Sequence, residues 1–214
     1  IVFDKTGTVT SGQFEILRTI PLGVAEDQLI GLAAAAESGS DHILARVIAQ
    51  EALRRGLSWP AVADSHVIPG RGAECKVDGK VIRAGSLAFL SDHGVHGAER
   101  LVEEADRSGA TAVLVAEDEK LVGAILLRDR IRDGIKEAVG DLKNLDIRYQ
   151  LMLTGDRQGT AGVIGREAGI PNIEAGLLPG QKLDRIRQLT SQGRRIAMVG
   201  DGLNDAPALA AAHV

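Results

Sequence analysis

Three aspartates, Asp4, Asp201 and Asp205, lie just beyond short apolar runs, Ile1-Val2-Phe3 and Arg195 to Val199, that read as strands. Strand ends that face one another would bring these carboxylates together. Like charges at close range raise one another's pKa unless a cation joins them. A hard divalent ion held by carboxylate and carbonyl oxygens meets that need, and Mg²⁺ is the usual companion of phosphate substrates. Lys182, shortly after Pro179-Gly180, is a second source of positive charge. Thr154 and the Gly155 amide sit at another strand end, where they can donate to a phosphoryl oxygen. An Asp beside Mg²⁺ and such donors is a nucleophile for phosphoryl transfer, since carboxylates form aspartyl-phosphates.

The elements that must position these groups follow from the periodicity. From Asp129 onward the chain alternates helix and strand: a helix over Ile131 to Leu142, a strand over Tyr149 to Leu153, and a helix ending at Ala168. A strand near Ile173, a helix over Leu183 to Gln192 and a strand over Arg195 to Val199 complete the series. That rhythm predicts a parallel sheet covered by helices, with ligands at the carboxyl ends of its strands. The middle of the chain reads differently. Helices are expected over Asp27 to Ala36, Asp41 to Arg55 and Ala98 to Arg107. Asp78-Gly79 is a hairpin turn between alternating strands, and strands over Thr111 to Ala116 and Leu121 to Leu127 flank a turn at Glu117 to Glu119. We therefore expect an α/β phosphoryl-transfer domain from residues 1–12 and 128–214, with an α+β domain over 13–127 inserted into it.

Asp4-Lys5-Thr6-Gly7-Thr8-Val9-Thr10, Thr154-Gly155-Asp156 and Gly200-Asp201-Gly202-Leu203-Asn204-Asp205-Ala206-Pro207 occur in that order and span nearly the whole chain. Together they resemble the P-type ATPases of the haloacid-dehalogenase-like superfamily. The resemblance implies a Rossmann-like phosphorylation domain with Asp4 as the phosphorylated nucleophile and Lys5 beside it. It implies Mg²⁺ on Asp4, the Thr6 carbonyl, Asp201 and Asp205. Thr154, Gly155, Lys182 and Asn204 would hold the phosphoryl group, and Asp156 would lie on the nucleotide side. Asp129-Arg130-Ile131-Arg132 is similar to the family's hinge between its two cytoplasmic domains. Soluble phosphatases of the superfamily usually carry an Asp two residues after the nucleophile as general acid and base. Thr6 stands there and is poorly suited to that role, so a longer-lived acyl-phosphate is expected.

Glu37-Ser38-Gly39-Ser40-Asp41-His42-Ile43-Leu44-Ala45 resembles the nucleotide-domain motif of heavy-metal (type IB) P-type ATPases, with Asp41 for the usual Glu and Ile43 for the usual Pro. Losing the Pro removes a backbone constraint next to His42. Gly70-Arg71-Gly72 is similar to the family's Gly-x-Gly, where bare backbone admits the nucleotide. The resemblance implies ATP contacts from Glu37, His42, Gly70 and Gly72. Neither a dinucleotide-binding fingerprint nor a Walker A loop occurs.

Composition narrows the classes. The 214 residues are 44% hydrophobic and 2% aromatic with a net charge of -4, which argues against a nucleic-acid partner. The one cysteine, Cys75, excludes an intrachain disulfide and reads as a packed strand residue. Gly94 and Gly97 make the His93–His96 segment a loop rather than a metal site. No apolar run is long enough to span a bilayer. The chain lacks an initiator Met and opens inside a strand. We expect a monomeric, cytoplasm-facing piece of an integral membrane pump, its phosphorylation domain incomplete, whose partners are the transmembrane and actuator domains of the same protein. A soluble phosphatase and a non-catalytic nucleotide-binding module are the alternative readings.

Overall fold

Strands that alternate their side chains between two apolar faces organise both halves of the chain. The computed structural model describes residues 1–59, 62–202 and 205–214. In order it contains β1 (Val2–Asp4), β2 (Thr10–Pro21), α1 (Glu26–Ala36), α2 (Ile43–Arg54), β3 (Ala63–Ile68), β4 (Gly72–Val77) and β5 (Lys80–Gly85). Next come α3 (Leu87–Asp92), α4 (Glu99–Arg107), β6 (Thr111–Glu117), β7 (Lys120–Ile131) and α5 (Ile135–Asn144). The last elements are β8 (Leu151–Leu153), α6 (Gln158–Ala168), β9 (Asn172–Glu174), α7 (Pro179–Ser191), β10 (Met198–Val199) and α8 (Ala206–Ala211). No helix among the described residues is long and apolar enough to cross a membrane.

The chain divides into two compact units. One comprises Ile1–Gln13, Asp106–Gly109 and Asp129–Val214; the other comprises Phe14–Ala105 and Ala110–Arg128. The first unit is built on a four-stranded sheet of order β10-β1-β8-β9, every pairing parallel. Successive side chains take opposite faces, as the pleat requires. Val2, Leu151 and Leu153 join Ile186 and Leu189 of α7 and Ala208 of α8 in one core. Phe3 and Met152 join Val139 of α5 and Ala161 and Ile164 of α6 in the other. Helices thus cover both faces. Continuing the alternation, Asp4 falls on the face of Val2, where α7 and α8 lie. β1, β8 and β9 run outward in one direction, and the chain returns to place β10 on the far side of β1. That reversal is the switch point at which open α/β sheets bind ligands.

The second unit holds a six-stranded sheet of order β2-β7-β6-β5-β4-β3, with antiparallel pairing from β3 through β7. Val113, Val115, Ile125 and Leu127 face α1 and α2, packing on Leu29, Ala33 and Ile48. Leu114, Ala116, Ala124 and Leu126 face the other way, onto Phe89 and Leu90 of α3 and Leu101 of α4. The Asp78-Gly79 turn has positive φ at both residues (50° and 80°), as a two-residue hairpin loop demands.

Several boundaries differ from the sequence reading. The helix expected from Ile131 starts at Ile135, because β7 continues through Ile131 and Gly134 takes a left-handed N-cap conformation. The helix expected from Leu183 starts at Pro179, so Lys182 is on its first turn. Tyr149 and Arg195 precede shorter strands than expected. β2, β3 and α3 were not foreseen.

Candidate active site

The site of the first unit begins with a buried triad of charges at the switch point. Asp4 closes β1 and is 4% exposed. Lys182 Nζ donates to Asp4 Oδ1 at 2.6 Å and to Asp205 Oδ1 at 2.8 Å. Local sequence explains each position. Pro179 fits the first helical residue of α7, where its missing N–H costs nothing, and Gln181 Oε1 accepts from the Leu178 amide at 2.8 Å. This fixed start points the buried Lys182 side chain inward. Asp205 is the N-cap residue of α8, followed by Ala206 and Pro207. Burial pushes Asp4 from 3.8 up to about 6, against the opposing hydrogen bond from Lys182. Burial would lower Lys182, but hydrogen bonds to Asp205 and Asp4 outweigh it and hold the ammonium above its ordinary value.

The turn after Asp4 is shaped by Gly7, at φ 74°. A Cβ there would lie 2.6 Å from Asp201 Oδ2, so the Asp201 carboxylate packs against the bare backbone of this turn. Arg132 braces the same loop, donating to the carbonyls of Gly7 at 2.6 Å and Thr8 at 3.1 Å. Thr10 Oγ1 lies 2.5 Å from Asp129 Oδ2 and 3.0 Å from the Lys5 carbonyl. Burial raises the Asp129 pKa. Lys5 is buried and pairs with Asp156 at 2.5 Å. Thr154 is buried at the end of β8, and its Oγ1 accepts from the Asp156 amide at 3.1 Å. Gly155 and Thr6 are exposed beside it in sequence and in the loop respectively. The structure therefore joins Asp4, Lys182 and Asp205 directly, sets Asp201 against Gly7, and joins Lys5 to Asp156. Asn204 lies outside the described residues.

The oxygens here suit a hard cation. Asp205 Oδ2 is buried without a hydrogen-bond partner among the described residues, and Gly7 leaves open backbone before Asp201 Oδ2. Among the described residues no three acid, His or Cys side chains form a ready metal cage. Mg²⁺ is commonly held by one or two carboxylates together with substrate phosphates, and Asp205 Oδ2 and Asp201 Oδ2 are the oxygens that would meet it here.

The second unit carries its own site, a cleft of about 490 Å³. Its walls come from the end of α1, the start of α2, the β3–β4 turn, the end of β5 and the start of β6. Glu37, His42, Gly70 and Gly72 all line it. Glu37 is half-buried, and burial raises its pKa against a hydrogen bond from Ser40. His42 caps α2: its Nδ1 accepts from the Leu44 amide at 3.2 Å. The neutral ring is thereby the Nε2–H tautomer, with a donor left to point outward. Ile43 is 44% exposed and does not disturb this cap. The helix start itself supplies the constraint that a Pro would have supplied.

The two cleft glycines serve different ends. Gly70 has φ 73° with open space where a Cβ would stand, so backbone there can be approached closely. At Gly72 a Cβ would meet the Ala84 carbonyl at 2.4 Å and Phe89 Cδ1 at 2.7 Å. Gly72 pairs with Gly85 across β4 and β5, where a Cβ would equally strike Phe89. Gly72 is thus required by strand-to-helix packing, a different reason from nucleotide approach. Ser40, Arg71, Gly85 and Ser86 also line the cleft and were not singled out from sequence. A Ser preceding Leu87-Ala88-Phe89 was the available signal for Ser86, which caps α3.

Comparison with known proteins agrees with this architecture. The profile of the haloacid dehalogenase-like hydrolases matches residues 1–213. A copper-exporting P-type ATPase of Bacillus subtilis is 42% identical over all of this chain, which covers 27% of that protein. Copper-exporting P-type ATPase B of Archaeoglobus fulgidus is 37% identical, with 31% of its length covered. The chain thus spans about a quarter to a third of these relatives. Among solved structures, a zinc-transporting PIB-type ATPase in its E2.Pi state superposes with TM-score 0.78 at 36% identity, covering 99% of this chain and 34% of that one. The catalytic domain of the CPx-ATPase CopB-B, described for its conformational changes on nucleotide binding, gives 0.74 at 26% identity, covering 100% and 77%. The chain belongs to the haloacid dehalogenase-like hydrolase family, and it matches end to end the catalytic segment of heavy-metal P-type ATPases.

Proposed function

We propose that this chain is the ATP-binding and phosphorylation segment of a heavy-metal cation pump, and that it forms an aspartyl-phosphate at Asp4 from Mg-ATP. The observation that carries this reading is the buried Asp4 at the switch point, bridged by Lys182 to Asp205 and followed two residues later by Thr6. The cleft of the second unit takes the adenine and ribose, with Glu37 and His42 as polar contacts and Gly70 as open backbone. An Asp4 carboxylate oxygen bonds to the γ-phosphorus as the bond from that phosphorus to the bridging oxygen breaks. ADP leaves with the electron pair. Lys182 and Thr154 offer donors to the phosphoryl oxygens as charge shifts.

Asp4, Asp201, Asp205 and the Thr6 carbonyl are the residues that would hold Mg²⁺, which when bound neutralises charge on the transferring group. Lys5 keeps Asp156 fixed beside the loop. Thr6 supplies no carboxylic acid to activate water, so the acyl-phosphate persists and can drive transport. We assign the chain a copper- or zinc-type ion as cargo, a reading supported by its copper-exporting and zinc-transporting relatives, and the transmembrane and actuator domains of the full-length pump as partners. The test is incubation with γ-labelled ATP and Mg²⁺, followed by an acid quench. Acid-stable label released by hydroxylamine supports the reading. A folded chain that binds ATP and never takes label refutes it.

A further inference from the structure

Arg71 stands between the two glycines of the cleft turn and lines the cleft. Among the described lining residues it is the one Lys or Arg side chain, while Glu37 and Asp41 contribute carboxylates. Its backbone is fixed on both sides. The Arg71 amide donates to the Ile68 carbonyl at 3.0 Å, and its carbonyl accepts from the Ser86 amide at 2.8 Å. The Gly72–Gly85 contact on Phe89 holds the turn from behind. From this rigid base the side chain extends to a rim position, 45% exposed, where its guanidinium pairs with the carboxylate of Asp92 at the end of α3. Asp92 is itself 58% exposed, so the pair is open to a competing anion.

A nucleoside polyphosphate brings several negative charges into a cleft whose other charged groups repel it. A guanidinium fork matches phosphate oxygens two at a time, and a polyphosphate offers more charge than one carboxylate. We propose that Arg71 is the polyphosphate ligand of this cleft, held by Asp92 until the nucleotide arrives. Binding exchanges one anion for another on the same guanidinium, so Asp92 sets the affinity as a built-in competitor.

This inference rests on the reading of the cleft as a nucleotide site, and the test separates the two. The whole chain is titrated calorimetrically with ATP and with adenosine, without divalent cations, as wild type, Arg71→Gln and Asp92→Asn. Arg71→Gln is expected to weaken ATP about tenfold, the worth of a charge-assisted hydrogen bond, and to leave adenosine unchanged. Asp92→Asn is expected to tighten ATP about threefold, as loss of an exposed pair allows, again without effect on adenosine. ATP binding equal to wild type in Arg71→Gln, or an equal loss for ATP and adenosine, overturns the role of Arg71. A wild type that binds neither ligand overturns the nucleotide reading itself and this inference with it.

Discussion

Replacing Lys182 by Met tests whether the Asp4–Lys182–Asp205 triad holds the first unit together. The ammonium sits 2.6 Å from Asp4 and 2.8 Å from Asp205, and the three side chains are 9%, 6% and 0% exposed. Met has a similar length and leaves little cavity, so the change is chiefly one of charge. Two buried carboxylates would then face each other without a counter-charge. Breaking a buried pair this way costs about 3–5 kcal/mol.

The sign of the pH dependence follows from Asp4. Its folded pKa is raised from 3.8 to about 6, mainly by burial. The stability linked to that raised pKa is present below 3.8 and lost as pH climbs through about 6. Without Lys182 the folded pKa rises further, so the loss extends to higher pH. Urea unfolding of the metal-free protein in chelator, followed by circular dichroism at pH 5 and pH 8, should therefore show a larger deficit at pH 8. Adding Asp205→Asn to the Met variant should recover part of it, because one of the two opposed charges is gone. A deficit equal at both pH values, or under about 1 kcal/mol at pH 8 as for an exposed pair, would refute the reasoning.

Two further outcomes are expected. Thr6→Asp should speed loss of the acyl-phosphate by about 10²-fold, as measured by chase of the labelled protein, since it restores a general acid and base beside Asp4; an unchanged half-life would remove Thr6 from the account. Gly72→Ala should destabilise the second unit by about 1–3 kcal/mol through overpacking on Phe89, more than Gly70→Ala, which meets only the left-handed strain of about 1–2 kcal/mol. Equal losses in thermal melts would mean that the two glycines serve one purpose.

The residues that gather around Asp4 were legible in large part because short strands carry Asp4 and Thr154 at their ends. Asp4 and Thr154 follow apolar triplets whose alternation alone decides which face they take. Asp201 follows β10 and Gly200, whereas Asp205 is placed by the start of α8. The cleft was legible in part. Glu37 and His42 sit at helix ends that periodicity marks, whereas Arg71 and Gly85 are brought in by the β4–β5 pairing, and Ser86 by α3, whose only local signal was the capping Ser itself. β2 escaped for a related reason. As an edge strand it is half-solvated, and Thr, Ser, Gln, Glu and Arg among its residues blur the alternation that Phe14 and Ile16 carry. The start of α7 was misjudged because Pro179-Gly180 reads as a turn, although Pro is also a favoured first helical residue. Only pairing across long sequence separations, such as Lys182 to Asp4, resolves such cases.

The central claim is that Asp4 carries the phosphoryl group, and peptide mapping tests it most directly. After reaction with Mg-ATP and an acid quench, digestion with pepsin at low pH, where an acyl-phosphate survives, should release a peptide containing Asp4 with the added mass of one phosphoryl group. The account predicts that mass on this peptide in the wild type and its absence in Asp4→Asn. Phosphate on a different peptide, or on the corresponding peptide of the Asn variant, would contradict it.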